Sequence, residues 1–165
     1  MRPAEPRTLV IAIGNDFRCD DAAALVAARR LREQASHVCV IEHTGDGAAL
    51  LDLWQDADAV ILLDAVQSGA PPGTIHRFTV DQNLRLPASF PSCTHRFGIV
   101  QALDLAIALR RLPRTLMIYG IEGECFEHGV GLSVPVQSAV ERLITELLRS
   151  RLGSSNRDFR VLAGQ

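Results

Sequence analysis

The chain has 165 residues, enough for one domain with its own core and little more. Hydrophobic residues make up 47% and charged residues 22%, a balance that excludes a disordered or fibrous chain. The net charge is −2 and the arginines are scattered or paired within helical stretches, so neither nucleic acid nor an anionic membrane is an expected partner. No apolar run approaches the ~20 residues that a membrane span needs.

Met1–Arg7 is polar with two prolines and is expected to fray. Thr8–Ile13 is apolar on both faces, as a central parallel strand covered by helices should be. Gly14 and Asn15 suit a sharp strand-to-helix turn. Asp20 or Asp21 is then expected to cap a helix over Ala22–Arg32, with Leu25, Ala28 and Leu31 facing inward. His37–His43 reads as a second strand, Ala48–Trp54 as a short helix, and Ala59–Leu63 as a third buried strand ending at Asp64. This alternation of strand and helix predicts a parallel sheet.

The link from the third strand to Thr74–Val80 is too short for a crossover helix. A fourth strand there is expected to run antiparallel, and its imperfect alternation suits a sheet edge. Asp81–Thr94 is a long aperiodic loop containing Pro87 and Pro91, of the kind that often carries function. A helix over about Arg96–Leu112 is predicted with Ile99, Ala102, Leu103, Ala106 and Ile107 inward, stopped by Pro113. Leu116–Ile121 is the fifth strand. Ser133 is the expected cap of a last helix with Pro135 in its first turn and an apolar stripe from Val136 to Leu148. Residues 1–152 form one expected domain, and 153–165 an expected flexible tail.

Three side chains converge in this topology. The first and third strands both end at the carboxyl edge of the sheet, where open α/β folds hold ligands. That places Asp21 and Asp64 on one rim. The antiparallel strand finishes at the opposite rim, so the loop Asp81–Thr94 must climb back to deliver His95 to the start of the next helix, an easy span at ~3.3 Å per residue. Two carboxylates and an imidazole suit a divalent zinc, nickel, cobalt or iron ion with open positions. The simpler alternatives are helix caps for Asp20 and Asp21, a turn residue for Asp64 and a cap or solvent-facing ring for His95. His37, His43 and His76 read as structural, and Glu122 and His128 as rim residues that could support the site.

The four cysteines contain no CxxC pair, and no cleavable signal peptide is expected ahead of the first strand, so free thiols in the cytoplasm are the expectation. Cys19 and Cys93 each precede a proposed ligand by two residues and read either as soft ligands or as incidental thiols. No GxSxG elbow, GxGxxG turn or P-loop is present.

Taken in order, GlyAsnAspPheArgCysAspAsp, ThrGlyAspGlyAlaAlaLeuLeu, LeuLeuAspAla, ThrHisArgPheGly and TyrGlyIleGlu followed by GlyLeuSer resemble the hydrogenase maturation proteases over roughly Thr8–Leu148. The resemblance implies a three-layer α/β/α sandwich around a mostly parallel five-stranded sheet. It also implies a nickel-dependent endopeptidase that trims the C-terminus of the large-subunit precursor of a nickel–iron hydrogenase. The family's metal-binding acidic residue, aspartate and histidine fall on Asp21, Asp64 and His95, and the nickel is expected to arrive with the precursor. Ala22 and Ala24 stand where the family usually has glycines. A non-cleaving metallo-chaperone that docks on a metalloenzyme subunit, and a hydrolase acting on a different precursor, are the alternatives.

Overall fold

The computed structural model describes residues 7–80 and 96–150. Its elements are β1 (Thr8–Ile13), a 3₁₀ turn (Cys19–Ala22), α1 (Ala23–Gln34), β2 (Cys39–His43), α2 (Gly47–Trp54), β3 (Ala59–Val66), β4 (Ile75–Val80), α3 (Arg96–Ala108), β5 (Thr115–Glu122) and α4 (Val134–Arg149). The strands form one sheet in the order β2-β1-β3-β5-β4. All neighbours are parallel except β4, which runs antiparallel on β5 at the edge.

Burial follows position in the sheet. Beyond their first residues, β1, β3 and β5 are buried on both faces, whereas the edge strands β2 and β4 keep partly exposed residues. One face packs α1 and α4 over Val10, Ile61, Leu63, Tyr119 and Ile121. The other packs α2 and α3 over Ile11, Val60, Leu62, Leu116 and Ile118. The result is three layers, α/β/α.

Several boundaries differ from the sequence expectation. Neither Asp20 nor Asp21 caps α1; both lie inside the 3₁₀ turn that precedes it, and the N-cap is Ala22. β3 does not stop before Asp64 but continues to Val66, because β5 extends alongside and pairs Asp64 with Gly120. α3 ends at Ala108, and its chain leaves through Arg110 in the left-handed region (φ 54°), ahead of Pro113. Ile99, Ala102, Leu103 and Ala106 are buried as expected, but Ile107 faces outward. Ser133 occupies the N-cap of α4 without making a capping hydrogen bond.

The start of α3 is fixed to the carboxyl rim by close backbone contact. A Cβ on Gly98 would lie 1.7 Å from the carbonyl oxygen of Gly45, in the loop that leaves β2, and one on Gly47 would lie 2.6 Å from the carbonyl of Gly98. Both obstacles are backbone, so neither side can yield cheaply. Gly98→Ala should therefore destabilise the protein by about 3 kcal/mol, even though alanine is the better helix former. A urea midpoint unchanged from wild type would contradict this packing.

Candidate functional site

The chain order makes one place special. From β1 it passes to β2 on one side, then returns across β1 to β3 and continues to β4 and β5 on the other. The crevice above the carboxyl ends of β1 and β3 is thus the switch point where such sheets bind ligands. Asp21 and Asp64 both come to it.

Asp64 arrives within its strand. Ala12 pairs with Leu63, so the end of β1 lies beside Asp64. Leu62 and Val66 point to the α2–α3 face, and by alternation Asp64 does too. Asp21 arrives through the turn after β1. Gly14 lets that turn fold back: a Cβ there would lie 2.3 Å from the carbonyl oxygen of Asp21, which also accepts the N–H of Asn15 at 3.4 Å. Gly14 therefore serves close approach rather than an unusual φ; the left-handed residue of this loop is Cys19, at φ 48°. The turn packs against β3, and both carboxylates are 0% exposed. Oδ1 of Asp64 accepts the N–H of Ala65 at 2.8 Å.

The adjacent Asp20 has a different task. Its carboxylate, also 0% exposed, accepts the N–H groups of Glu124 (2.8 Å), Cys125 (3.0 Å) and Ser133 (2.7 Å) and the Ser133 hydroxyl (2.9 Å). It ties the loop between β5 and α4 to the turn that carries Asp21. This explains why Ser133 makes no cap: its hydroxyl donates to Asp20 instead. The front of the loop is held by Arg29 of α1, which meets both oxygens of Asp16 (2.8 and 2.7 Å) and Glu42 of β2 (2.7 Å). The hydrogen bond from Arg29 holds the Asp16 carboxyl below the usual carboxylate range.

Glu122 does not reach toward the crevice as a ligand. It accepts the N–H of Ser68 (2.7 Å), the Ser68 hydroxyl (2.7 Å), the N–H of Gly69 (3.0 Å) and Nε2 of His76 (3.0 Å), closing the turn between β3 and β4. Burial alone would raise its carboxyl, but the bonds from Ser68, His76 and Gly69 outweigh it and the net displacement is downward. A carboxylate with a depressed folded pKa contributes stability above its unfolded value and loses it as pH falls through the folded one. Wild type should exceed Glu122→Gln by about 2 kcal/mol at neutral pH, with the gap closing below about pH 4.5 in denaturation curves. A gap that did not narrow as pH falls below about 4.5 would contradict this assignment.

His43 shapes the other wall. Its Nδ1 accepts the N–H of Gly45 at 2.9 Å, which orders the loop that receives the first turn of α3, and burial pushes its pKa down. His128 is exposed. Cys19 and Cys125 are half-buried, and the hydrogen bond with Cys125, followed by burial, pushes the Cys19 thiol up. His95 and Cys93 lie outside the described residues. The described α3 begins at the next position after His95, on the carboxyl rim and on the face to which Asp64 points.

The donor chemistry fits a divalent cation. Two carboxylates withdrawn from water at one corner supply anionic oxygens, and a cation between them would offset the cost of burying both. Among the described residues no group of three or more His, Cys, Asp or Glu is placed to share an ion. His95, the third donor that the sequence offers, lies outside them.

The fold is that of a three-layer α/β/α protein, and the comparisons with known proteins give its class and family. The family model described as hydrogenase maturation protease (HycI) matches residues 23–150. The chain is 30% identical over 122 residues to the hydrogenase expression/formation protein HupD of Thiocapsa roseopersicina, a match covering 72% of this chain and 55% of that protein. It is 24% identical to the hydrogenase 2 maturation protease of Escherichia coli K12, over 86% of this chain and 88% of the other. Its structure superposes on the NiFe hydrogenase maturation protease HybD from Thermococcus kodakarensis with a TM-score of 0.73 at 25% identity, covering 87% of this chain and 97% of that one. The chain belongs to the hydrogenase maturation protease family, a family of peptidases. Among the described residues no helix is long and apolar enough to cross a membrane.

Proposed function

We propose that this protein is a cytoplasmic, nickel-dependent endopeptidase that removes the C-terminal extension of a nickel–iron hydrogenase large-subunit precursor. The observation that carries the reading is the burial of two aspartates at the switch point of the sheet, Asp64 within β3 and Asp21 in the turn packed against β3, in a chain whose family is one of maturation proteases. Nickel enters as part of the substrate, already seated in the precursor. Asp21, Asp64 and His95 would hold it from the protease side, and the ion would polarise the scissile carbonyl or a water beside it.

The protein's own residues do the rest. Asp20 and Arg29 hold the Asp21 loop in one geometry, so little reorganisation is needed when the precursor docks. The β3 ladder fixes Asp64 on its backbone, and the hydrogen bond from Ala65 orients its carboxylate. The Gly45–Gly98 contact sets the start of α3.

The test is an incubation of the full chain with nickel-loaded precursor, followed by mass spectrometry of the precursor's C-terminus. Loss of a defined C-terminal peptide, abolished by His95→Ala, is the expected result. A precursor that is bound but never shortened would overturn the reading in favour of a docking chaperone.

A further inference from the structure

The loop that carries Asp21 and the loop between β5 and α4 are bonded along their backbones. The N–H of Cys19 donates to the carbonyl of Gly129 (3.0 Å), and that of Asp20 to the carbonyl of Cys125 (2.9 Å). The Cys125 N–H returns to Oδ2 of Asp20 at 3.0 Å. Each loop contributes one half-buried free thiol, Cys19 and Cys125. The left-handed backbone of Cys19 turns its Sγ toward the opposite loop, where a Cβ on Gly129 would come within 2.9 Å of it. The peptide N–H that follows Cys19 is the one that the Cys125 carbonyl accepts, so the two cysteines flank a single bond between the loops, near the Cα separation of about 4.4–6.8 Å that a disulfide spans. Cys39 is exposed on the far edge strand β2, so among the described residues it offers Cys19 no competing partner.

We propose that Cys19 and Cys125 are a reversible modification site, forming an intramolecular disulfide that staples the Asp21 loop to the β5–α4 loop. With a peroxide as oxidant, one thiol attacks the O–O bond to give a sulfenic acid and water. The second thiol displaces the remaining hydroxyl as water, so two S–H bonds are lost, one S–S bond forms and the peroxide takes up both electrons. A dithiol reverses the step by exchange. Closing the bond holds the sulfurs at about 2.05 Å and pulls on a backbone two residues before Asp21. Resting on the function proposed above, the oxidised form should process precursor on the order of a hundredfold more slowly, as a ligand shifted by about 1 Å would.

Two readouts separate this site from that function. Full-length protein treated with hydrogen peroxide and digested without reductant should yield a Cys19–Cys125 linked peptide, lighter by two hydrogens. The link should vanish with dithiothreitol and in Cys19→Ser. A link from either residue to Cys93 instead, or sulfinic acids without a cross-link, would overturn the proposal whatever the protein's activity. If the link forms, processing by wild type should fall with oxidation and recover with dithiothreitol, while Cys19→Ser stays insensitive to peroxide. Equal processing by oxidised and reduced wild type would overturn the effect on Asp21.

Discussion

Asp64→Asn is expected to lower precursor processing on the order of a thousandfold while leaving the fold intact. The amide keeps the shape of the side chain and can still accept the N–H of Ala65 through its oxygen. It cannot supply the anionic oxygen that a divalent ion takes, and losing several kcal/mol of that ion's charge stabilisation corresponds to about three powers of ten in rate. Asp21→Asn should behave in the same way. Stability should hold or rise, because a buried carboxylate is replaced by a neutral group of equal size. The two measurements, C-terminal mass of the precursor and a urea denaturation curve, should therefore move independently. Processing within tenfold of wild type would remove Asp64 from the site.

Asp20→Ala should give the opposite pair of results, a large loss of stability from the neighbouring position. The carboxylate gathers three backbone N–H groups and one hydroxyl at distances of 2.7–3.0 Å. Its removal leaves Glu124, Cys125 and Ser133 donors without their acceptor at a buried corner, at about 1–3 kcal/mol for each that water cannot reach. The expected loss is about 4 kcal/mol, read as a shift in the denaturation midpoint. Asp20→Asn should recover only part of it, since the amide offers one acceptor oxygen where four donors converge, and its NH₂ faces the rest. A midpoint within about 1 kcal/mol of wild type for Asp20→Ala would show that the tether is not structural.

Much of this architecture was legible in the sequence because its signals are local. β1, β3 and β5 announce themselves as short runs apolar on both faces, and α4 by its apolar spacing. The brevity of the link after β3 was enough to make β4 antiparallel. The division of labour between Asp20 and Asp21 was not legible. Side by side in sequence, they are equally good helix caps, and what separates them is the set of partners around Ser133, a long way down the chain. The extension of β3 through Asp64 was missed for the same reason, since a polar residue reads as a strand end unless its neighbour, here Gly120, is known to continue the ladder. Ile107 fits the helical stripe of α3, yet it is exposed. The candidate site was readable as far as two carboxylates on one rim. The closing of Gly14 onto Asp21 and of Gly98 onto Gly45 depends on atoms that the sequence does not position.

The central claim is that one ion is gripped jointly by side chains from β3, from the turn after β1 and from the position before α3. Anomalous diffraction at the nickel edge, from crystals of this chain soaked in a nickel salt, addresses it most directly. A single peak bonded to carboxylate oxygens of Asp21 and Asp64 and to an imidazole nitrogen of His95 is the expected result. A peak held by other residues, or carboxylates of Asp21 and Asp64 too far apart to touch one ion, would contradict it.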